Sequence, residues 1–401
     1  MTNRPLRILM ISDVYFPRVN GVSTSIRTFR RELQAQGHEV TLIAPAYPGH
    51  TAEEPDIIRI PSRGVLMDPE DRMMRRHEID TLWPVLKKQR FDVLHIHTPF
   101  IAHYAGLFLA AHLGIPVVES YHTFFEEYLY HYVPLVPRRV MRFFARRVTV
   151  SQCAAVQRII SPSRAMQDAL RNYGVQTHID ILPTGLEASQ FKLGDGARFR
   201  KKYGIAADRP TLLYIGRVAH EKNIDFLVRC FQRVHAELPE ALLLIVGEGP
   251  ALGHLKNLAA ELKLGDAVQF VGYLDRDTEL LDCYRAGDLF VFASRTETQG
   301  LVLLEALAQG TPVVSTMHMG TRDVLTGTFG TRVVNEDEAE FSAACVELLR
   351  NQAARQQLAA HATNDAVRWS SREMAERLVR LYTQLGTESV KSAAPSLQTS
   401  S

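Results

Sequence analysis

Short apolar stretches alternate with longer segments in which apolar residues recur at helical spacing, and this alternation occurs twice along the chain. Such alternation is typical of βα units, which build parallel sheets. The first series of predicted strands covers residues 7–12, 39–44, 57–60, 93–97, 116–121, 158–161 and 180–182. The second series covers residues 211–215, 242–246, 268–271, 289–292 and 312–315. The pattern predicts an α/β protein with two doubly wound, Rossmann-like domains.

Turn residues between the two series predict the domain boundary. A turn-rich stretch at 183–187 is followed by the polar segment 194–196, so the first domain is predicted to cover residues 1–186 and the second residues 187–369. Residues 370–386 have helical period and are predicted to pack back on the first domain. The serine-rich residues 387–401 contain few large apolar side chains and are predicted to be a disordered tail.

The composition agrees with a two-domain globular protein. The chain has 401 residues, of which 46% are hydrophobic and 22% are charged. A single core stops growing at about 250–300 residues, so a chain of this length is expected to divide into two domains with a cleft between them.

The overall charge excludes a protein that mainly wraps nucleic acid. The 46 basic and 44 acidic side chains leave a net charge of +2, so any anion must be bound by local groups of cations. The four cysteines, Cys153, Cys230, Cys283 and Cys345, lie far apart and are predicted to be buried, reduced thiols.

No membrane-spanning segment or signal peptide is expected. The N-terminus runs directly from polar residues into the first predicted strand, which indicates a cytoplasmic protein. The longest apolar run, residues 105–118, is interrupted by His112 and Gly114 and is shorter than the ~20 residues that cross a bilayer. Any membrane contact is therefore predicted to be peripheral.

Two glutamates near the start of the predicted helix 301–308 are candidates for ligand binding. Glu305 lies in an apolar segment, and a buried carboxylate is costly without hydrogen-bond donors such as ligand hydroxyls. The loop from Glu297 to Gly300 opens a helix N-terminus, where free N–H groups favour an anion and glycine allows close approach. The alternative is an acidic helix start with one exposed glutamate.

This segment resembles the E-x7-E signature of retaining glycosyltransferases of family 4, and three further segments support the resemblance. They are residues 16–23 after the first strand, 183–185 at the hinge and 216–223 after the first strand of the second domain. The resemblance covers about residues 7–385 and implies the GT-B fold, in which two Rossmann-like domains face each other across a cleft.

The resemblance also implies roles in binding a nucleotide sugar. Arg217 and Lys222 are assigned to the diphosphate and Glu305 to the ribose. Glu297 is assigned to the donor sugar and phosphate together with the backbone N–H groups of Thr298, Gln299, Gly300 and Leu301. Both cations follow a parallel strand, where such sheets bind ligands, and a leaving diphosphate needs fixed positive charge. Surface cations without a ligand are the alternative.

In the first domain, Gly21 belongs to a matching loop, where many relatives have two glycines and this chain has Asn20 and Gly21. The segment around Tyr121 and His122 is similar to that of bacterial glycolipid-forming members, in which this histidine contacts the donor sugar near the reacting carbon. A structural histidine is the alternative. Asp13 is either a helix cap or a ligand of the acceptor.

Seven arginines and no acidic residue occur between residues 128 and 167. Arg138, Arg142 and Arg146 recur every four residues, and the apolar Val140, Phe144 and Val148 recur on the opposite face. This pattern predicts a basic amphipathic helix that lies on an anionic membrane surface, where each cation contributes about 1 kcal/mol. An ordinary solvated face and a nucleic-acid contact are the alternatives.

No metal ion and no cofactor are predicted, since the nucleotide sugar is a substrate. Asp275 and Asp277 form the Asp-x-Asp pattern with which another glycosyltransferase architecture holds a metal. They precede a predicted helix, residues 278–284, and capping of that helix is the preferred interpretation.

The prediction from sequence is a hexosyltransferase with His122, Glu297, Arg217 and Lys222 as its catalytic residues. It is expected to move glucose from UDP-glucose to diacylglycerol, with retention, on the inner face of the cell membrane. The alternative in the same class is a GDP-mannose-dependent mannosyltransferase, and a sugar-nucleotide epimerase is the alternative of another class. A nicotinamide oxidoreductase lacks support, because no G-x-G-x-x-G follows either first strand.

Overall fold

The structure is a computed structural model that describes residues 4–49, 54–65, 68–122, 138–275 and 279–393. The chain forms two compact units. Unit 1 contains Met1–Thr184 and Ser371–Ser401, and unit 2 contains Gly185–Ser370. The end of the chain therefore belongs to the same unit as its beginning.

A parallel sheet lies at the centre of unit 1. Its strands follow the order β3-β2-β1-β6-β7-β8-β9. Their bounds are β1 Arg7–Ile11, β2 Glu39–Pro45, β3 Ile57–Ile60, β6 Val93–Ile96, β7 Val117–Ser120, β8 Arg158–Ser161 and β9 Ile179–Ile181. Each of the seven predicted strands is present, and its ends lie within one residue of the prediction.

A separate antiparallel hairpin, β4 Ser62–Val65 and β5 Asp68–Met74, was not predicted. Its sequence is mostly polar and contains Gly64 and Pro69, so it lacks the alternation of apolar residues that indicates a strand.

Six helices of unit 1 precede the crossing into unit 2 within the described ranges. They are α1 Gly21–Ala35, α2 Arg76–Asp80, α3 Trp83–Leu86, α4 Ile101–Leu113, α5 Arg138–Ala154 and α6 Arg164–Tyr173. Helix α1 begins at Gly21, because Asn20 and Ser23 form a capping box. Helices α4 and α6 end at Gly114 and Gly174, both left-handed.

The last helix of the chain, Ser371–Ala393, completes the core of unit 1. Its buried side chains join those of β1 and α1; they are Met374, Ala375, Leu378, Leu381, Tyr382 and Leu385. The Arg377 guanidinium also donates a 2.7 Å hydrogen bond to the Ile181 carbonyl. The helix extends to Ala393, seven residues into the segment predicted as a tail, and no proline interrupts residues 387–393. Residues 394–401 lie outside the described ranges.

Unit 2 repeats the same winding around a second parallel sheet. Its strand order is β12-β11-β10-β13-β14-β15. The strands are β10 Thr211–Ile215, β11 Leu242–Val246, β12 Val268–Val271, β13 Leu289–Phe292, β14 Val313–Ser315 and β15 Thr331–Val333. The helices of unit 2 are α7 Gly196–Lys202, α8 Ile224–Glu237, α9 Leu252–Glu261, α10 Glu279–Ala286, α11 Leu301–Ala308, α12 Thr321–Leu325, α13 Glu338–Arg350 and α14 Gln352–Val367. The last helix of unit 1, Ser371–Ala393, is α15.

Strand β15 and helix α14 were not predicted. Strand β15 has three residues and its side chains are not fully buried. Helix α14 is rich in alanine and glutamine and has no apolar stripe, because it packs through small residues such as Ala362 and Ala366. A Cβ atom on Gly330 would lie 2.6 Å from Ala362 Cα, which shows how closely this helix approaches the sheet.

In both sheets the winding reverses beside the first strand, between β1 and β6 in unit 1 and between β10 and β13 in unit 2. Ligands of open α/β sheets bind outside the carboxyl ends of the strands at this position. Each unit therefore has a defined edge where functional side chains are expected. No helix in the described part of the chain is long and apolar enough to cross a membrane.

Candidate active site

The carboxyl ends of β10 and β13 bring Lys222 and Glu297 together in unit 2. The loop after β10 contains Lys222 in a short 3-10 turn, and the loop after the neighbouring β13 contains Glu297. The Lys222 Nζ atom lies 2.9 Å from Glu297 Oε2, and the two side chains are 20% and 19% exposed. Two residues 75 positions apart in sequence thus form a mostly buried ion pair.

The surroundings of Glu297 favour its charged form. Burial alone would raise the pKa of Glu297, but the Lys222 ammonium and the N–H groups of Gly300 and Gln299 lower it, and the net shift of the pKa is downward. Glu297 is therefore a carboxylate, and Lys222 is held in place as a cation.

Glycines shape the loop that carries Glu297. Gly300 starts helix α11 with a φ of 91°, a conformation that favours glycine. Gly320 lies against the same loop, since a Cβ atom there would lie 2.0 Å from the Thr298 carbonyl oxygen. Its N–H group donates a 2.8 Å hydrogen bond to the Glu297 carbonyl. The contact with Gly320 holds this loop, and the loop in turn keeps the N–H groups at the start of α11 in place.

Arg217 lies at the start of the loop after β10 and is exposed, with its Nη1 atom 3.8 Å from Glu221 Oε1. The backbone next to it is held by a hydrogen bond, since Val218 N–H donates a 2.9 Å bond to the Glu248 carbonyl in the loop after β11. A Cβ atom on Gly249 would lie 2.3 Å from the Val218 carbonyl oxygen. Sequence reasoning missed this support, although the Gly247-Glu248-Gly249 segment after a predicted strand was the available signal.

A second network, also missed from sequence, connects the two loops. Glu336 Oε1 accepts a 3.1 Å hydrogen bond from Asn223 Nδ2 and also pairs with the Arg295 guanidinium. Asn223 directly follows Lys222 and donates a further 3.1 Å bond to the Ala293 carbonyl. One carboxylate thereby fixes the residue after Lys222 and the segment before Glu297.

Glu305 is buried, as the sequence predicts, and two of its donors come from the chain itself. Gln190 Nε2 donates a 2.9 Å hydrogen bond to Oε1, and Tyr284 donates a 2.7 Å bond to Oε2. Glu305 is 3% exposed. Its burial is thus compensated without a ligand, and its assignment to the ribose stays a prediction.

In unit 1, Asp13 caps helix α4. Its carboxylate follows β1 and accepts hydrogen bonds from Thr98 Oγ1 at 2.7 Å and from Ala102 N–H at 3.1 Å. Burial raises the pKa of Asp13 to about 6, against the opposite effect of these bonds. The bond from Ala102 N–H, in the first turn of α4, agrees with the capping interpretation, and the acceptor role stays a prediction.

His122 follows β7 and lies beside a second histidine that the sequence analysis did not select. Its Nε2 atom is 3.3 Å from Nδ1 of His97, which follows the neighbouring strand β6. Burial lowers the pKa of His122 to about 4, so this ring is neutral near pH 7. The resemblance pointed to His122, and the available signal for His97 was its position two residues after another histidine at a strand end.

Gly21 is the first residue of α1, and an added Cβ atom there would meet nothing within 4 Å. The residue before it is Asn20. Its side chain accepts a 2.9 Å hydrogen bond from Ser23 N–H. Asparagine at this position therefore stabilises the helix start.

Helix α5 exposes two adjacent aromatic rings. Phe143 and Phe144 are 57% and 59% exposed, whereas Ala145 and Thr149 on the same helix are buried. Arg146 and Arg147 are exposed, and the Arg146 guanidinium lies 4.9 Å from the Tyr173 ring. The side chains of Arg138 and Arg142 lie outside what the structure describes.

The Asp-x-Asp segment is only partly covered. Helix α10 begins at Glu279, whose N–H donates to the Asp275 carbonyl at 3.2 Å, while Arg276 and Asp277 lie outside the described ranges. The described residues contain no group of three or more His, Cys, Asp or Glu that could hold a metal ion. Cys153, Cys230, Cys283 and Cys345 are all buried and free.

Two family models match the chain in succession. The model described as "Glycosyltransferase Family 4" matches residues 19–190, and "Glycosyl transferases group 1" matches residues 195–365. A relative named alpha-monoglucosyldiacylglycerol synthase, from Streptococcus pneumoniae, is 35% identical over 77% of this chain and 71% of its own length. The chain belongs to glycosyltransferase family 4. It is a retaining hexosyltransferase, close in sequence to the diacylglycerol glucosyltransferases.

Other relatives in this family have different names. A GDP-mannose-dependent alpha-mannosyltransferase from Corynebacterium glutamicum is 27% identical over 80% of this chain and 75% of its own length.

Solved structures confirm the GT-B fold of this family 4 enzyme. Sucrose-phosphate synthase from Thermosynechococcus elongatus has a TM-score of 0.74 and 22% identity, covering 96% of this chain and all (100%) of that one. Anabaena HepE in complex with UDP-glucose has a TM-score of 0.73 and 15% identity, covering 94% and 100%.

Proposed function

We propose that this glycosyltransferase moves a glucosyl group from UDP-glucose to the hydroxyl group of diacylglycerol, with retention at the anomeric carbon. The observation that carries the proposal is the 35% identity with an enzyme whose name states that it makes monoglucosyldiacylglycerol. A second relative of the same name, from Acholeplasma laidlawii, is 28% identical over 77% of this chain and 80% of its own length.

The donor diphosphate is bound by Arg217 and Lys222 in this proposal. As the bond between the anomeric carbon and the diphosphate oxygen breaks, negative charge grows on the leaving group, and fixed cations stabilise it. Lys222 is mostly buried and oriented by Glu297, so little reorganisation is needed when the donor binds. Arg217 is exposed, and the backbone beside it is held by the Val218–Glu248 hydrogen bond, so its side chain alone has to move to the ligand.

No metal ion or cofactor takes part in the proposed reaction. The acceptor hydroxyl oxygen bonds to the anomeric carbon on the side from which the diphosphate departs, and the hydroxyl proton leaves with the diphosphate. His122 is a poor base for this proton, because burial lowers its pKa to about 4. The cations of unit 2 take the place that a divalent metal has in other architectures.

A lipid acceptor requires the enzyme to reach a membrane, and helix α5 supports this part of the proposal. The exposed rings of Phe143 and Phe144 can enter the boundary between headgroups and acyl chains. The neighbouring Arg146 and Arg147 can bind anionic headgroups. The proposed location is therefore the inner face of the cell membrane, with peripheral attachment.

A mannosyl donor is the second candidate, because a relative that is 27% identical over 80% of this chain is named for its use of GDP-mannose. The acceptor in that case is also proposed to be a lipid. An epimerase would release free sugar nucleotide without any acceptor.

The test offers the purified enzyme radiolabelled UDP-glucose or GDP-mannose with vesicles that contain diacylglycerol and an anionic phospholipid. We expect label to enter the organic phase from UDP-glucose only, to require diacylglycerol, and to persist in the presence of EDTA. Transfer from GDP-mannose alone would identify the second candidate. Loss of transfer with EDTA, restored by Mg²⁺, would contradict the metal-free mechanism.

A further inference from the structure

Three histidine rings form a continuous stack at the carboxyl edge of the sheet in unit 1. The ring centroids of His95 and His97 are 3.9 Å apart, and those of His97 and His122 are 5.7 Å apart with planes 17° from parallel. His95 lies in β6, His97 follows this strand, and His122 follows the adjacent β7. The order of the rings therefore reflects the register of two paired strands.

His95 is fixed by groups other than histidine. Its Nδ1 atom lies 2.6 Å from the Tyr382 hydroxyl of helix α15, and its Nε2 atom lies 2.8 Å from the Ser120 hydroxyl. Both ring nitrogens of His95 thus have hydrogen-bond partners other than histidine, and His95 contacts His97 only through the faces of the two rings. The C-terminal helix in this way holds the first ring of the stack.

His97 and His122 form a hydrogen bond between neutral rings. Burial lowers the pKa of His97 well below its ordinary value, and it lowers the pKa of His122 to about 4. In a pair of neutral imidazoles one nitrogen carries a proton and donates, while the other accepts. The 3.3 Å contact joins His97 Nδ1 and His122 Nε2, so one of these two atoms is the donor.

The environment of His97 Nε2 determines which of the two rings donates the hydrogen bond between His97 and His122. His97 Nε2 is buried and has no hydrogen-bond partner within the described ranges. If His122 donated, His97 would carry its proton on Nε2, and a buried N–H group would have no acceptor. Orphaned buried N–H groups are rare and costly, whereas an unused lone pair is tolerated better. His97 therefore donates from Nδ1.

We propose that His97 is a positioning residue that holds His122 as the tautomer with its proton on Nδ1, so that His122 offers an N–H group to an oxygen of the donor sugar. The accepting Nε2 atom of His122 is occupied by His97, which leaves Nδ1 as the ring nitrogen for the substrate. This inference rests on the proposed function and on the contact between His122 and the donor sugar that the family resemblance implies. It assigns His122 the role of a hydrogen-bond donor.

Two substitutions of His97 separate its hydrogen bond from its volume. In His97→Asn the amide nitrogen can occupy the place of Nδ1 and still donate to His122. In His97→Phe the ring volume is kept and the donor is lost. We expect His97→Phe to lower kcat for transfer at least ten-fold with less than a three-fold change in KM for the donor, and His97→Asn to restore most of the lost kcat.

His95→Phe is the matched control, because His95 is an equally buried histidine of the same stack that makes no hydrogen bond to His122. We expect it to lower the melting temperature and to change kcat less than three-fold. Equal loss of kcat in His97→Phe, His97→Asn and His95→Phe, in folded proteins, would show that the stack has only a structural role and would overturn the inference.

A spectroscopic measurement tests the tautomer without any enzyme assay. Long-range ¹H–¹⁵N spectra of protein labelled at histidine distinguish protonated from bare ring nitrogens, and the His122→Gln variant identifies the signals of His122. We expect a proton on Nδ1 of His122 in the parent protein. A proton on Nε2 would overturn the inference even if UDP-glucose is the donor. Conversely, a proton on Nδ1 without transfer from either donor would overturn the proposed function and leave the tautomer intact.

Discussion

At the scale of single residues, the pair of Lys222 and Glu297 is the feature on which the proposed donor site most depends. Each side chain is mostly buried, and each supplies the charge that makes burial of the other tolerable. The pKa of Glu297 is raised by burial and lowered by Lys222, with a net downward shift. Removing the ammonium leaves an uncompensated carboxylate, whose pKa then rises.

Replacing Lys222 by Ala is expected to lower kcat for transfer by two or more powers of ten. The reason is that a cation which offsets the charge of the leaving diphosphate acts in the transition state. The measurement is single-turnover transfer from the labelled donor, in protein shown by its melting curve to be folded. Glu297→Ala is expected to behave similarly, since Glu297 orients the cation.

Lys201→Ala is the control for this prediction, because Lys201 is an exposed cation in the last turn of α7. It should leave kcat unchanged within two-fold. Near-normal turnover in folded Lys222→Ala would remove Lys222 from the proposed diphosphate site.

Candidate site residues that lie in motif-like segments could be selected from the sequence, whereas partners that contact them across a long sequence separation could not. Lys222 and Glu297 lie in segments that resemble family motifs. By contrast, Gln190 reaches Glu305 across 115 positions, and Glu336 reaches Asn223 across 113 positions. Such partners become neighbours only when the sheet has formed, and no local pattern distinguishes them from other polar residues.

At the scale of elements, helix α5 combines one buried face with two exposed aromatic rings. Ala145 and Thr149 are buried against the rest of unit 1, so these small residues form the inner face of the helix. The sequence pattern predicts that Phe144 lies on the apolar face opposite the arginines, and in the structure Phe144 is exposed on this face. An exposed pair of phenylalanines is costly in water, which is consistent with a surface that has a lipid partner.

The double variant Phe143→Ser/Phe144→Ser is expected to lose most of its sedimentation with anionic vesicles, because burial of each ring contributes about 1.5–3 kcal/mol to membrane binding. Transfer to diacylglycerol in vesicles should fall in parallel, while slow hydrolysis of the donor should stay unchanged. The measurements are co-sedimentation at low and high salt and the two activities.

Phe329→Ser is the matched control, since Phe329 in unit 2 is 67% exposed. It should bind vesicles like the parent. Unchanged sedimentation of the double variant would exclude α5 as the membrane contact and favour an acceptor in water.

The periodicity of strands and helices was sufficient to predict the two sheets but not the complete packing of either unit. Buried strands such as β11 are continuous apolar runs, so they were visible in the sequence. Helix α14 has no apolar stripe and packs by small residues, and the β4–β5 hairpin is polar. Elements that are stabilised by backbone approach or by edge pairing leave no hydrophobic period to detect.

At the scale of the whole molecule, unit 1 is assembled from both ends of the chain, with unit 2 inserted between them. Helix α15 contributes six buried side chains to the core of unit 1: Met374, Ala375, Leu378, Leu381, Tyr382 and Leu385. With about 1.5–3 kcal/mol for each large apolar side chain, this contribution is comparable with the 5–15 kcal/mol that stabilises a typical domain.

A chain that ends at residue 370 is therefore expected to keep unit 2 folded and to lose unit 1. Differential scanning calorimetry should show one transition in place of the transitions of the full chain, and limited proteolysis should degrade residues 1–184 first. A chain that ends at residue 386 keeps all six buried side chains and is the control. Equal melting of unit 1 in both truncated chains would contradict this role of α15.

The return of the chain to unit 1 also sets an order of events during synthesis. Unit 2 is continuous in sequence, so it can fold as soon as Ser370 has left the ribosome, whereas residues 1–184 must wait for α15. At about 5–20 residues per second, translation of the intervening ~200 residues takes about 10–40 s. Throughout that time the apolar side chains of unit 1 that pack against α15 stay uncovered in the nascent chain. The half of the enzyme that is synthesised first is thus the half whose folding is completed last.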